Sequence, residues 1–149
     1  MIKDDVLGRL KKAKTAHLRW RTYAEALVSG VDEAIDQLPV KHTDCEFGHW
    51  YHGDGQELAH LDLFNEIGLV HQTLHEEFEI IFDIVTSANE AAERSSFLKR
   101  ILGSKVKMKQ ENKEKALEHL VHLKMISKKL VGKIEELESM LVKGQVAFS

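Results

Sequence analysis

Four side chains whose donor atoms suit a zinc ion occur in the first half of this 149-residue chain. His71 and His75 stand four residues apart, a spacing that places both rings on one face of a helix. His17 falls on the apolar face of an earlier predicted helix, and Cys45, the only cysteine, lies between the two. Three imidazoles and one thiolate make a complete tetrahedral set for Zn²⁺. The spacing therefore predicts one metal site formed by these four residues.

Other histidines and another metal are open to the same interpretation. His42, His49 and His52 lie close to Cys45 in sequence, and any of them could replace a member of the set, His49 before the others. Zinc is preferred because a thiolate with three imidazoles suits a borderline-soft ion without geometric demands. Copper would bind such a set more tightly by the general order of affinities, so cellular availability must decide between the two metals. Asp44 is either a hydrogen-bond acceptor for a ligand ring or an exposed loop carboxylate. Because the protein fills all four positions, the site is predicted to be closed and the chain not to be an enzyme.

Helical periodicity supplies the elements that must position these donors. Apolar residues recur at steps of three and four, which predicts long amphipathic helices. Three stretches show this pattern: residues 4–29, 56–88 and 113–143. A short helix is predicted at residues 32–38, ended by Pro39, and residues 40–57 are predicted to be a loop or short turns. The predicted fold class is all-α, an antiparallel four-helix-type bundle with a short extra helix and a cysteine-bearing loop.

Composition and charge are those of an ordinary soluble domain. Hydrophobic residues make up 43% of the chain and charged residues 30%. The formal net charge of −3 gives no support for nucleic-acid binding. No apolar run approaches the roughly 18 residues of a transmembrane helix, and the N-terminus lacks the apolar core of a signal peptide. We therefore predict a single cytoplasmic domain over residues 1–149, without membrane association. A single cysteine agrees with a reducing compartment.

Three short motifs, taken together, resemble the chemoreceptor zinc-binding domain, called CZB. The motifs are His17-Leu-Arg-Trp20, Cys45-Glu-Phe-Gly48-His-Trp50 and His71-Gln-Thr-Leu-His75. Glu46 stands where the strictest form of the pattern has an apolar residue. The resemblance covers about residues 8–90 and resumes in the last helix, so about 93–113 is interpreted as an insertion or connection.

This resemblance implies both a ligand set and a role. One zinc per chain would be held by His17, Cys45, His71 and His75 in a helical bundle. The module would respond to zinc availability or to oxidation of the zinc-bound cysteine, in bacterial chemotaxis or cyclic-di-GMP signalling, with a signalling protein as partner. Related domains occur in dimeric signalling proteins, so a homodimer is expected.

A second apolar strip and a basic segment bear on partners. The strip would either widen the core or form a dimer interface; it consists of Leu63, Ile67, Leu74 and Ile81. Residues 97–109 mix apolar and basic side chains, and form either a helix that binds a membrane surface or a partner, or a solvated connection.

Two other functions fit parts of the pattern. A hemerythrin-like di-iron, oxygen-binding bundle would use the His71 and His75 pair, but it needs more histidines and bridging carboxylates on the helices. Glu79, one turn after His75, is the only candidate carboxylate predicted on that face. The second alternative is a helical interaction module whose zinc is purely structural, or which binds no metal.

Overall fold

The structure, a computed structural model, describes residues 2–30, 39–94 and 110–148, with side chains of the second long helix described as far as Ser87. The elements in these ranges are α1 (Lys3–Ser29), α2 (Glu46–His52), a 3₁₀ helix (Asp54–Leu58), α3 (Asp62–Arg94) and α4 (Gln110–Val142). No strand occurs within these ranges. The prediction of an all-α helical bundle is confirmed.

The contacts among the three long helices show which of them run parallel and which run antiparallel. α3 and α4 make the most extensive contact, and α1 packs against both. Four polar pairs join α4 to its neighbours: Lys14–Glu138, Glu25–Lys124, Glu66–Lys133 and Glu77–His122. Residue numbers rise along α1 and α3 as they fall along α4, so α4 is antiparallel to both. α1 and α3 therefore run in the same direction, which brings their histidines to one level of the bundle.

The core consists of the apolar faces that the periodicity predicts. The largest side chains that are fully buried include Leu10, Leu27, Phe64, Phe78, Leu123, Leu130, Ile134 and Leu137. The second apolar strip widens this core. Ile67, Leu74 and Ile81 are fully buried within the chain, and Leu63 packs against the core. Because Ile67, Leu74 and Ile81 are covered by their own bundle, these three side chains offer no surface to a second chain.

Two predictions about the segment between the long helices are wrong. α3 begins at Asp62 rather than near residue 56, because residues 54–58 form a 3₁₀ helix. Residues 40–57 are not only a loop, since they contain the seven-residue helix α2. A helix of this length shows too little periodicity to be recognised. Its N-cap is Cys45, and cysteine is not among the usual capping residues.

Some predicted features lie outside the described residues. These are the short helix at 32–38, the basic segment 97–109 and most of the insertion at about 93–113. Among the helices that the structure describes, none combines the length and apolar character that a membrane span requires.

Candidate metal centre

The bundle brings all four predicted donors together from three separate elements. α1 supplies His17, α3 supplies His71 and His75, and Cys45 is the residue before α2. One ligand atom from each lies within 4.8 Å of the other three. The Cys45 Sγ lies 3.3 Å from Nε2 of His71. Donors of a tetrahedral zinc site are about 3.3–3.6 Å apart, so the set matches one ion once the widest pair closes by roughly 1 Å.

Backbone carbonyls fix which nitrogen of two rings faces the site. Nδ1 of His17 lies 2.6 Å from the Ala13 carbonyl oxygen, and Nδ1 of His75 lies 2.6 Å from that of Val40. A carbonyl oxygen only accepts, so in the neutral rings Nδ1 carries the proton and donates it. The lone pair is then on Nε2, as a metal ligand requires.

The Nε2 atom of His75 tests whether these residues fit a metal ion. His75 is only 3% exposed, and Nε2 has no hydrogen-bond partner among the residues that the structure describes. A buried acceptor without a partner costs about 1–3 kcal/mol. A coordinated cation at the centre of the four donors would satisfy it. The donor set and this orphaned atom therefore both fit a zinc ion.

Burial keeps the three rings in the neutral form that binds metal. It lowers the pKa of His17 below the ordinary histidine value. Burial, with smaller contributions from the neighbouring histidines, lowers the pKa of His71 to about 2. Burial also lowers the pKa of His75 to about 4, although the bond to the Val40 carbonyl opposes it. At neutral pH no proton competes with a metal ion for these nitrogens.

Cys45 is the least enclosed of the four donors. It is half-buried, whereas the three histidines are at most 3% exposed. Its Sγ accepts a hydrogen bond from the Gly48 N–H at 3.2 Å and donates to the His42 carbonyl at 3.7 Å. Burial raises the pKa of the thiol, while the Gly48 N–H acts in the opposite direction. A small cleft whose lining includes Arg9 and Lys12 leads to the sulfur.

Gly48 is required for the close approach of α2 to the preceding turn. A Cβ atom at this position would lie 1.9 Å from the His42 carbonyl oxygen, well inside any real contact. The glycine of the Cys-x-x-Gly-x-Trp motif therefore has two roles. Its N–H binds the sulfur, and its missing side chain lets the turn carrying Cys45 close against α2.

Aromatic side chains enclose the ligand rings. Trp20 packs on His75 with ring centroids 4.3 Å apart, and Phe47 meets His71 edge to face at 4.9 Å. Trp50 is buried and contacts Phe64, which anchors α2 to α3. These contacts restrict rotation of the rings and keep the surroundings of the donors dry.

The other candidate histidines lie outside the four-donor group. His49 and His52 are exposed on α2, and His42 is half-buried with its ring centroid 6.2 Å from that of His71. Asp44 is exposed and accepts a hydrogen bond from the Thr43 hydroxyl, so it does not orient a ligand ring. Carbonyls orient the rings instead, and sequence reasoning could not identify them because every residue carries one.

The carboxylate pattern differs from that of a di-iron bundle. Glu79 is exposed, so its predicted place on the buried face is wrong. The buried acid on α3 is Glu77, which accepts a hydrogen bond from His119 and lies 3.4 Å from Nδ1 of His122, both on α4. Sequence reasoning missed this cluster. Within the described residues, the four-donor set is the only group of three or more such side chains close enough to hold an ion.

Residues 17–81 match the family model of the chemoreceptor zinc-binding domain. The matched stretch begins at His17 and includes all four donors. The match confirms the resemblance that the three motifs indicate, and with the donor geometry it supports one zinc ion per chain. No curated protein and no solved structure matches the chain.

Proposed function

Since residues 17–81 match the family model of the chemoreceptor zinc-binding domain, we propose that the chain is a regulatory module whose zinc state sets the packing of α1, α2 and α3. The distribution of donors is the observation that supports this role. The donors belong to three elements, so binding would stabilise one arrangement of these elements, and loss would release it. Because protein atoms fill all four positions, no position remains open for a substrate, which favours regulation over catalysis.

We further propose that Cys45 is the point at which an oxidant acts. It is the most accessible donor, it precedes a helix of only seven residues, and a cleft reaches it. Bound zinc would keep Cys45 as a thiolate, whereas burial favours the protonated thiol in the metal-free chain. The zinc form is therefore the more reactive one.

The oxidation that we propose is a two-electron step on sulfur. The thiolate attacks one oxygen of hydrogen peroxide, an S–O bond forms, the O–O bond breaks and hydroxide leaves. The product is a sulfenic acid, in which the sulfur is a poorer metal ligand than a thiolate. With hypochlorous acid the leaving group is chloride. Either reaction would loosen α2 from the histidine-bearing helices.

Metal content tests the zinc assignment directly. The chain, purified without added metal and without a histidine tag, is expected to hold about one zinc. Cys45→Ala and His71→Ala should lose it, and His52→Ala should retain it as a matched histidine control. Two irons per chain would instead support the oxygen-binding bundle. Absence of metal would support a purely structural interaction module.

Zinc release under oxidant separates a regulatory zinc from a permanent structural one. The zinc-loaded chain is treated with peroxide while a chromogenic chelator reports free zinc, and near-UV circular dichroism reports the packing of Trp20 and Trp50. We expect release together with a change in the aromatic signal. Equal release from Cys45→Ser would refute a role for this sulfur, and release without a packing change would mark the zinc as structural.

The signalling context and the homodimer stay proposals. We propose that the module acts in the cytoplasm, in chemotaxis or cyclic-di-GMP signalling, and is dimeric. The match of residues 17–81 to a chemoreceptor zinc-binding domain supports this context. Sedimentation equilibrium of the zinc-loaded and zinc-free chain tests the dimer, and a monomer in both forms would refute it.

A further inference from the structure

A line of three imidazoles leads from the protein surface to the buried site. His52 is exposed at the end of α2, His42 is half-buried in the turn before Cys45, and His71 is 1% exposed. The ring centroids of His52 and His42 are 5.8 Å apart, and those of His42 and His71 are 6.2 Å apart. Only the last of the three belongs to the four-donor group. The first two have no role in the zinc site described above.

These separations are slightly larger than those of rings that share one ion. A coordinated zinc lies about 3.2 Å from the centroid of an imidazole, so the centroids of two rings bound to one tetrahedral ion are about 5.2 Å apart. Within the four-donor set the centroids are 4.6–5.6 Å apart. Each successive pair along the line, at 5.8 Å and 6.2 Å, could therefore hold a zinc ion between its members once the two rings approach by roughly 0.5–1 Å.

Because the four-donor site is enclosed, an entering zinc ion would benefit from ligands along its path. Its three histidines are almost completely buried, so an ion that enters must exchange its water ligands for protein ligands step by step. A pair of accessible imidazoles would replace the first waters before the ion reaches His71. Without them the ion would lose most of its hydration in a single step, which is slow.

Charge favours entry along this line over entry through the cleft beside Cys45. The cleft is lined by Arg9 and Lys12, and Glu46, which pairs with both, offsets only one of the two positive charges. A divalent cation is repelled by the remaining charge. In the turn that carries His42, Asp44 is exposed, and its carboxylate attracts the ion.

We propose that His52 and His42 form an entry site that captures Zn²⁺ and transfers it to His71 by ligand exchange. As the His71 nitrogen binds the ion, His52 leaves it, and His42 leaves when the remaining three donors close. Apart from the bonds to the metal, only the S–H bond of Cys45 breaks, and its proton passes to solvent when the sulfur binds the ion. This inference rests on the proposed function, because a regulatory zinc must enter and leave within the lifetime of the protein.

Exchange kinetics test the proposal. Zinc is mixed with the metal-free chain in a stopped-flow instrument, and binding is followed by the fluorescence of Trp20, which packs on His75. Release is followed by transfer to a chromogenic chelator. In His42→Gln both rate constants should fall by roughly tenfold, equivalent to about 1.4 kcal/mol of barrier, while their ratio and the zinc stoichiometry are unchanged.

Two further variants sharpen the result. His49→Gln removes an exposed histidine from the same helix α2, away from the line, and should leave both rates unchanged. In the double variant His42→Gln/His52→Gln, zinc binding and release should be no slower than in His42→Gln, because the two rings act in series.

Unchanged rates in His42→Gln, with one zinc still bound, would overturn the entry site without affecting the proposed function. A faster release with weaker binding would also overturn it, since His42 would then stabilise the final site. A chain that binds no zinc at all would instead refute the proposed function.

Discussion

Gly48→Ala is the substitution that best tests how the fold positions the cysteine. The site needs the Cys45 sulfur held near His71, and the turn that carries it closes against α2 only because residue 48 has no Cβ. An added Cβ would meet a backbone carbonyl oxygen, that of His42, rather than the flexible end of a side chain. The backbone of the turn or of α2 must therefore move.

The structure gives the size of this movement. The Cβ–oxygen distance must open from 1.9 Å to at least the 3.0 Å below which real Cβ atoms essentially never occur, a displacement of roughly 1 Å. Metal ligands tolerate about 0.2 Å around their ideal distances. The displacement also lengthens the 3.2 Å hydrogen bond from the Gly48 N–H to Sγ. We expect zinc affinity to fall at least about 100-fold, equivalent to about 2.7 kcal/mol.

Competition with a chromogenic chelator measures this affinity. Gly132→Ala is the matched control, since its Cβ would meet nothing within 4 Å on the exposed side of α4. That control should retain zinc affinity and gain about 0.5–1 kcal/mol of stability, as expected for replacing glycine in a helix. Far-UV circular dichroism of the metal-free variants checks that both remain helical.

A double substitution shows whether the effect acts through the sulfur. If Gly48→Ala weakens binding by displacing Cys45, then adding it to Cys45→Ala should cause no further loss. An additional loss would mean that the alanine disturbs the histidines as well. Wild-type affinity in Gly48→Ala would refute the reasoning outright, because the turn would then not determine the position of the sulfur.

Three more predictions concern stability. In Gly68→Ala a Cβ would lie 2.0 Å from the buried Tyr51 hydroxyl, so we expect a loss of about 1–3 kcal/mol in urea unfolding; an unchanged midpoint would contradict this. The pKa of His75 is about 4 when folded and 6.5 when unfolded, so its stabilising contribution is complete above pH 6.5 and declines as the pH falls towards 4. His75 should therefore account for about 2 kcal/mol of the stability that the metal-free chain loses between pH 7 and 5, with His17 and His71 adding to that loss, and a loss in His75→Gln as large as that of the unsubstituted chain would refute the assignment. Glu77→Ala leaves His119 without its buried acceptor and should cost about 1–3 kcal/mol with zinc content unchanged; loss of zinc would mean that this cluster supports the site.

Local pattern in the sequence is sufficient for the helices and for the donor set. Apolar residues at helical spacing identify the buried face of each long helix, because burial of that face is what holds a bundle together. His17, His71 and His75 are visible as candidate ligands because a polar ring on such a face needs a partner. The single cysteine completes the set by its residue type, since thiolate is a zinc ligand.

Tertiary structure decides everything that depends on contacts between distant segments. The carbonyls of Ala13 and Val40 set the ring nitrogens that face the ion, yet no side chain marks them in the sequence. The short helix α2 forms around contacts of Cys45 and Gly48, not around a periodic face. The line from His52 through His42 to His71 likewise exists only because the chain folds back on itself. Periodicity shows which face of a helix is buried, but it does not show which residues of other segments pack against that face.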